Sequence, residues 1–417
     1  MKEILSKISP TKQERTSFKN TISEFLKTLN SHLQDAAAIL GGSGAKDTWL
    51  SHNTDIDIFV QYNYQKYSLQ SDQLSQHLHQ TLKKSFPRLK ITRLHGSRDY
   101  FQLIYKKFNV EIIPILKISQ AEQALNITDI SPLHSQWVNA HAKKIKNDIR
   151  LAKQFCKAAR VYGAESYING FSGYILEILV AYYGSFEKLL KASLKWKPKE
   201  VIDPSHFYPQ KDALFQLNQS KQQSPIIIID PVDKSRNAAA ALSKEKLTNF
   251  QRQGWEYLKQ PHANFFLEKE LSVKEFQAQA KKQSAFLLSL KLTSPSGKED
   301  IVGVKILKCR EFLKEKLAPF QILKSEWEWN KKNLAQFYFI LKITELPSFT
   351  IRQGPPLAMT KFVNEFKKKN KDFFIKDNKM YAKIKTLHPQ LLDFAQHLTK
   401  EPYFQERIKS VQEIKLY

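Results

Sequence analysis

Cysteine is almost missing from this chain of 417 residues, which has Cys156 and Cys309 only. Two thiols close one bridge at most, and their flanks match neither a zinc site nor a redox pair. Long apolar runs are missing too. The most apolar stretch, Tyr174 to Tyr183, is short and carries Glu177, whereas a bilayer span needs about 20 apolar residues. The opening Met1-Lys2-Glu3-Ile4-Leu5-Ser6-Lys7 lacks the apolar core of a signal peptide. These absences exclude a disulfide scaffold and a helical membrane protein. The expectation is a soluble, reduced, cytoplasmic chain with no membrane partner. Internal repeats and low-complexity linkers are also absent, which excludes a solenoid. Finally, acid is scarce: 40 Asp plus Glu stand against 66 Lys plus Arg, a formal charge of +26. A field of that sign attracts polyanions. Nucleic acid is the first candidate and an anionic membrane surface the second. Solubility alone needs far less charge.

What is present is an ordinary apolar content with 27 Phe and 16 Tyr, enough for a sizeable core. The length points to two or three domains. Residues 17–40 read as a helix and 71–86 as another. Strands are expected near 56–61, 90–94, 100–105 and 110–116, with a hairpin turn at Lys106-Lys107-Phe108-Asn109. From Pro132 to Ser193 the apolar spacing is helical. The run Ile226-Ile227-Ile228-Ile229 reads as a buried strand stopping at Asp230-Pro231. Asn237 is expected to cap an alanine-rich helix starting at Ala238. Beyond 250, strands are expected at 286–292, 301–307 and 336–346, and an amphipathic helix around Phe362-Val363-Phe366.

The most informative stretch runs from Gly41-Gly42-Ser43-Gly44-Ala45-Lys46-Asp47-Thr48 to Asn53-Thr54-Asp55-Ile56-Asp57-Ile58-Phe59-Val60. Alternate strand residues share a face, so Asp55 and Asp57 point one way while Ile56 and Ile58 point into the core. Paired carboxylates repel unless a cation neutralises them, and hard oxygen ligands suit Mg²⁺. Val110-Glu111-Ile112 supplies a third acid on an apolar strand, an unlikely place for a carboxylate without a partner. Three carboxylates can hold two ions, one activating a hydroxyl and one clamping a triphosphate. The glycines let backbone amides approach phosphate, with Ser43 and Lys46 as further contacts. A Walker P-loop is excluded, because it needs Gly-Lys-Ser/Thr and the order here is Ala45-Lys46-Asp47. Asp-x-Asp alone is common on exposed strands. The glycine loop, the spacer, the paired acids and the later acid together are far more specific.

This constellation resembles the polymerase-β-like nucleotidyltransferases. Further segments narrow the resemblance to archaeal-type (class I) CCA-adding enzymes. They are Ser131-Pro132-Leu133-His134, Val161-Tyr162-Gly163-Ala164-Glu165 and Gly170-Phe171-Ser172-Gly173-Tyr174. Tyr183-Gly184-Ser185-Phe186, Asp230-Pro231-Val232-Asp233, Arg236-Asn237-Ala238-Ala239 and Gly354-Pro355-Pro356 follow in the same order. The resemblance implies an α+β multidomain fold. A nucleotidyltransferase head with a mixed sheet would span 1–137, a mostly helical neck 138–250, and an α/β body and tail 251–417. It implies that Asp55, Asp57 and Glu111 bind two Mg²⁺, although the third acid of the family is usually Asp. It also implies nucleotide contacts from Ser43, Lys46, His134, Lys153 and Tyr162, and a base-reading role for Arg236. Taken alone, Lys153 reads as part of a solvated helix face, Tyr162 as packing, His134 as a satisfied histidine, and Arg236 as a counter-ion to Asp233. The segment Arg93 to Tyr100 departs from the family pattern and receives no role.

The partners so implied are tRNA, with CTP and ATP as substrates; a homodimer is left open. The basic stretch Lys361 to Lys385 with Phe362, Phe366, Phe373 and Phe374 is a candidate RNA surface, although those aromatics can equally form the tail's own core. The competing readings are another template-free RNA nucleotidyltransferase, adding A or polymerising it, and a non-catalytic RNA-binding protein on the same scaffold. Retention of three acids and the glycine loop argues against the second.

Overall fold

The computed structural model describes residues 1–209 and 212–417. They form two compact units, Met1–Lys269 and Glu270–Tyr417.

The first unit begins around a five-stranded mixed sheet. Its strands are β1 (Ala36–Leu40), β2 (Asp55–Tyr62), β3 (Thr92–Leu94), β4 (Tyr100–Tyr105) and β5 (Phe108–Leu116), in the order β1-β2-β5-β4-β3. β2 and β5 are parallel and the other pairs antiparallel. Helices Lys12–Asn30 and Leu74–Ser85 join this sheet in one core, with Phe25, Leu29, Leu78 and Leu82 against Ile58, Val60 and Ile112. The expected helix over 17–40 is too long at its end. It stops at Asn30, Asp35 takes a left-handed φ of 53°, and Ala36–Leu40 becomes an edge strand on β2. Alanine favours helix by local propensity, but pairing with β2 overrides it. The hairpin turn at Lys106-Lys107 is present, tightened by the φ of 55° at Lys106.

Helices Ser131–His141, Lys146–Ala158, Gly173–Tyr183, Phe186–Ser193 and Lys244–Lys259 build a second core in the same unit. At its centre lie Phe155, Phe171, Phe186 and Phe250, all fully buried. A small sheet of β6 (Glu200–Ile202), β7 (Ile226–Asp230) and β8 (Asp233–Asn237) flanks it. β7 is buried along its whole length, as its four isoleucines require. Asn237 does not cap a helix at Ala238. It ends β8, and its Oδ1 accepts from the amides of Ile228 and Ala239. The helix starts only at Lys244, capped by Ser243.

The second unit holds a sheet of β9 (Phe286–Thr293), β10 (Ile322–Trp329), β11 (Leu334–Leu341) and β15 (Ser410–Leu416), in the order β10-β11-β9-β15. A smaller sheet has β12 (Phe349–Pro356), β13 (Phe373–Lys376) and β14 (Lys379–Lys385), with the expected helix at Thr360–Lys369. Residues 301–307 are not a strand but part of helix Glu299–Lys316. Val302, Ile306, Cys309 and Leu313 recur at helical spacing and are all buried, a period that a short window centred on Ile301 cannot distinguish from alternation. Both cysteines are free and buried in different cores. Among the described residues no helix is long and apolar enough to cross a membrane.

Candidate active site

The two central strands carry the acids. In the parallel register of β2 and β5, Asp57 stands opposite Glu111 and Asp55 opposite Asn109. Alternation does what the sequence requires: Ile56 and Ile58 are 3% and 0% exposed, while Asp55, Asp57 and Glu111 all line one cleft of about 820 Å³. Asn109 Nδ2 donates to Asp55 Oδ1 at 3.3 Å. Gln102, opposite Glu111 on β4, donates to its Oε1 at 3.4 Å. Burial pushes the Asp57 carboxyl above the usual carboxylate range, Lys46 and Lys153 pull it back, and Asp55 adds to the push. Among the described residues no three His, Cys, Asp or Glu side chains are grouped to ligate one ion. The acids share the cleft without converging on a point.

The glycine loop lies directly over these acids. Gly41 donates its amide to the Asp57 carbonyl at 2.7 Å. Gly42 has a φ of +54°, and a Cβ there would lie 1.7 Å from Asp57 Oδ2. Glycine is therefore required twice over, by conformation and by space. The short helix Gly42–Lys46 follows and ends at Asp47, which is left-handed with φ 50°. Arg150 locks this end: one Nη donates to the Asp47 carbonyl at 2.6 Å and to its carboxylate at 2.8 Å, while Nε donates to Trp49 O at 3.1 Å. Arg15 adds a 2.6 Å bond to the same carboxylate.

Ser43 lines the cleft, as do Lys46, Lys153 and Tyr162. Lys153 is not part of a solvated face; it is 3% exposed. Its ammonium donates to Glu177 Oε1 at 2.8 Å and to Thr48 Oγ1 at 3.0 Å. Lys46 donates to the other oxygen of Glu177 at 2.5 Å. Thr48 Oγ1 donates to Glu177 Oε1 at 2.6 Å. Glu177 is fully buried on helix Gly173–Tyr183. Burial alone would raise its carboxyl, but Lys153 and Lys46 outweigh that and hold it down at about 2. The Tyr162 hydroxyl sits over Gly173, where a Cβ would come within 3.0 Å of it.

A second buried acid, Asp230, gathers the remaining expected residues. His134 Nε2 lies 3.1 Å from its Oδ2, and Arg236 Nη1 donates to the same oxygen at 2.6 Å. Tyr174 donates its hydroxyl to Oδ1 at 3.0 Å and stacks on His134 at 4.1 Å between centroids. Burial would raise Asp230, but the His134 bond and charge and the Arg236 charge lower it. Arg236 thus counters Asp230, not Asp233. His134 and Arg236 do not line the cleft of the acids. They connect to it through Tyr174, whose other neighbour is Lys46, 5.6 Å from the ring centroid.

Sequence reasoning passed over Glu177 and Asp230 as functional residues. The signal for Glu177 was available: a lone acid in an apolar helix raises the same question as Glu111 on its strand.

Comparison with known proteins identifies the family. Residues 20–128 match the family described as nucleotidyltransferase domain, 147–267 the second domain of tRNA nucleotidyltransferase, and 283–402 the C-terminal domain of CCA-adding enzyme. The CCA-adding enzyme of Nanoarchaeum equitans is 36% identical over 85% of this chain and 84% of its own length. That of Methanocaldococcus jannaschii is 28% identical over 94% and 88%. Among solved structures, one of Cid1, described by its RNA terminal uridylyl transferase activity, superposes with a TM-score of 0.51 at 14% identity. It covers 65% of this chain and 97% of that one, which establishes the shared fold.

Proposed function

The chain belongs to the archaeal-type CCA-adding enzymes, and from that premise we propose that it adds C, C and A to the 3′ end of tRNA, taking CTP and ATP and releasing pyrophosphate without a nucleic-acid template. The observation that carries this reading is one cleft lined both by three acids on adjacent strands and by two buried lysines. A cleft carrying both carboxylates and ammonium groups suits a reaction between a hydroxyl and a triphosphate, in which positioning and charge neutralisation do most of the work.

In this reading the head is residues 1–137, the neck begins at 138, and the body and tail follow it. Lys46, Lys153 and Ser43 receive the triphosphate, and Tyr162 closes the cleft beside them. The donor set of Asp55, Asp57 and Glu111 fits a hard cation such as Mg²⁺, since all three are carboxylates and the missing Cβ of Gly42 leaves room beside Asp57. Two such ions held there would supply Lewis-acid activation of the RNA 3′-hydroxyl and neutralise the leaving pyrophosphate. Glu111 is one methylene longer than Asp, and Gln102 braces its carboxylate. Arg236, held by Asp230, offers guanidinium donors to a base edge. Uracil and guanine would leave donors or acceptors in such a pocket unpaired, which is the basis for rejecting them.

The test is addition to a tRNA trimmed of its last three nucleotides, with labelled CTP and ATP supplied separately and together. The expected outcome is two C residues from CTP, one A only after them, and then arrest. Long A tails, or ATP incorporated on the trimmed tRNA without prior CTP, would overturn the assignment.

A further inference from the structure

Glu177 belongs to none of the roles above, yet it touches two of the residues that receive the triphosphate. Its two oxygens are divided between them: Oε2 takes Lys46 at 2.5 Å, and Oε1 takes Lys153 at 2.8 Å and Thr48 at 2.6 Å. All of these groups are buried or nearly so. Lys46 comes from the glycine-loop helix, Lys153 from helix Lys146–Ala158, and Glu177 from helix Gly173–Tyr183. One carboxylate therefore sets the spacing of two ammonium groups carried by different elements.

The charge balance gives this arrangement a direction. Within this cluster two buried ammoniums share one buried carboxylate, and Asp57 lies close enough to feel both lysines. Without the carboxylate, two desolvated cations would face each other, and repulsion and burial would both favour losing a proton. Burial already lowers Lys153, while Glu177 opposes the loss. With the carboxylate in place, the two ammonium groups are held at a fixed spacing in the lining of the cleft.

We propose that Glu177 is a positioning residue of the nucleotide site, holding Lys46 and Lys153 at the spacing that receives the triphosphate of either CTP or ATP. This rests on the nucleotide-site reading above. Because it acts through phosphates and not through the base, its effect is the same for both nucleotides and absent for the nucleosides. It is distinct from Asp230, which holds His134 and Arg236 and would affect the two bases unequally.

The experiment measures equilibrium binding of CTP, ATP, cytidine and adenosine to the full chain and to Glu177→Gln, with turnover on trimmed tRNA recorded alongside. The expected result is a loss of roughly tenfold or more in affinity for both triphosphates, the scale of a charge-assisted contact. The nucleosides and the KM for tRNA should be unchanged. In the variant, triphosphate affinity should also fall as pH rises through the range where a lysine loses its proton, earlier than in the parent chain. Unchanged affinity and pH profile in a folded Glu177→Gln protein would overturn the proposal, as would a loss for one nucleotide alone. If Glu177→Gln does not fold, Glu177→Asp decides. It keeps the charge but withdraws the carboxylate, so triphosphate affinity drops if positioning is the role and stays at the parent value if only charge balance matters. Absence of C-C-A addition by the parent chain would instead remove the assigned reaction. The binding comparison would still report on Glu177.

Discussion

At the scale of one residue, the role proposed for Asp57 conflicts with stability. It lies between Asp55 two positions before it and Glu111 across the strand pair, with the glycine loop packed over its carboxylate. Its carboxyl is raised first by burial, then by Asp55. The sign follows from linkage. A carboxyl whose folded value exceeds its unfolded value destabilises the fold when ionised, and that cost disappears below both values. Asp57→Asn should therefore abolish turnover while raising the melting temperature of the metal-free protein at pH 8. The gain should vanish as pH falls towards 3.8, the ordinary value of an aspartate. Thermal melts in chelator across that pH range check it, and an unchanged or lower melting temperature at pH 8 would contradict the burial argument. Retained turnover would remove Asp57 from the chemistry altogether. Both outcomes concern one side chain whose spacing from Asp55 was readable directly. Its burial under Gly42 was not, because that depends on the path of a loop some fifteen residues earlier in the chain.

Elements hold the site by a few long-range polar anchors. Arg150 grips the loop end at Asp47 and Trp49. Arg98 does the same at the C-terminal end of β5. It donates to the Pro114 carbonyl at 3.1 Å and to Asp129 at 2.5 Å, and Asp129 accepts from the amides of Leu116 and Asn126. This gives a structural role to a stretch that the sequence left without one: Arg98 fastens the segment after β5 back to its strand. Removing one partner of a buried ion pair leaves the other charge uncompensated. Arg98→Met should therefore cost about 3 kcal/mol, read as a lower denaturant midpoint for the first unit, and Asp129→Asn should cost at least as much, because either orientation of the amide turns its NH2 towards a backbone N–H and leaves Arg98 uncompensated. A midpoint shift near zero for Arg98→Met would show that the pair adds nothing. Elements also account for two of the local misreadings. Alanine at 36–38 and the apolar run at 301–307 each satisfy two patterns, and the choice was made by a partner strand in the first case and by a core several turns long in the second.

Across the whole molecule, the surplus of 66 basic over 40 acidic residues is a property that no single contact explains. The consequence we propose is electrostatic capture of tRNA by phosphate neutralisation, with recognition by shape through backbone and 2′-hydroxyls. Affinity for tRNA should fall steeply with salt, with a log–log slope of several units in magnitude. A titration from low to physiological ionic strength measures it, and a flat response would remove charge as the source of binding. Glu177→Gln should leave that slope unchanged, since it lies in a buried cluster and not on the basic exterior.

What the sequence alone determined was local and periodic. It set the two-residue spacing that aims Asp55 and Asp57 together, the glycines that only one backbone path accepts, the buried isoleucine strand at 226–229, and the ordered segments that identify the family. Tertiary structure alone decided which distant groups meet. Lys46 and Glu177 are 131 positions apart, and Arg236 and His134 are 102 apart. No pattern along the chain encodes a contact across such a separation. It forms because burying one charge in a low-dielectric core demands another, and the packing of helices from two cores determines which one is within reach.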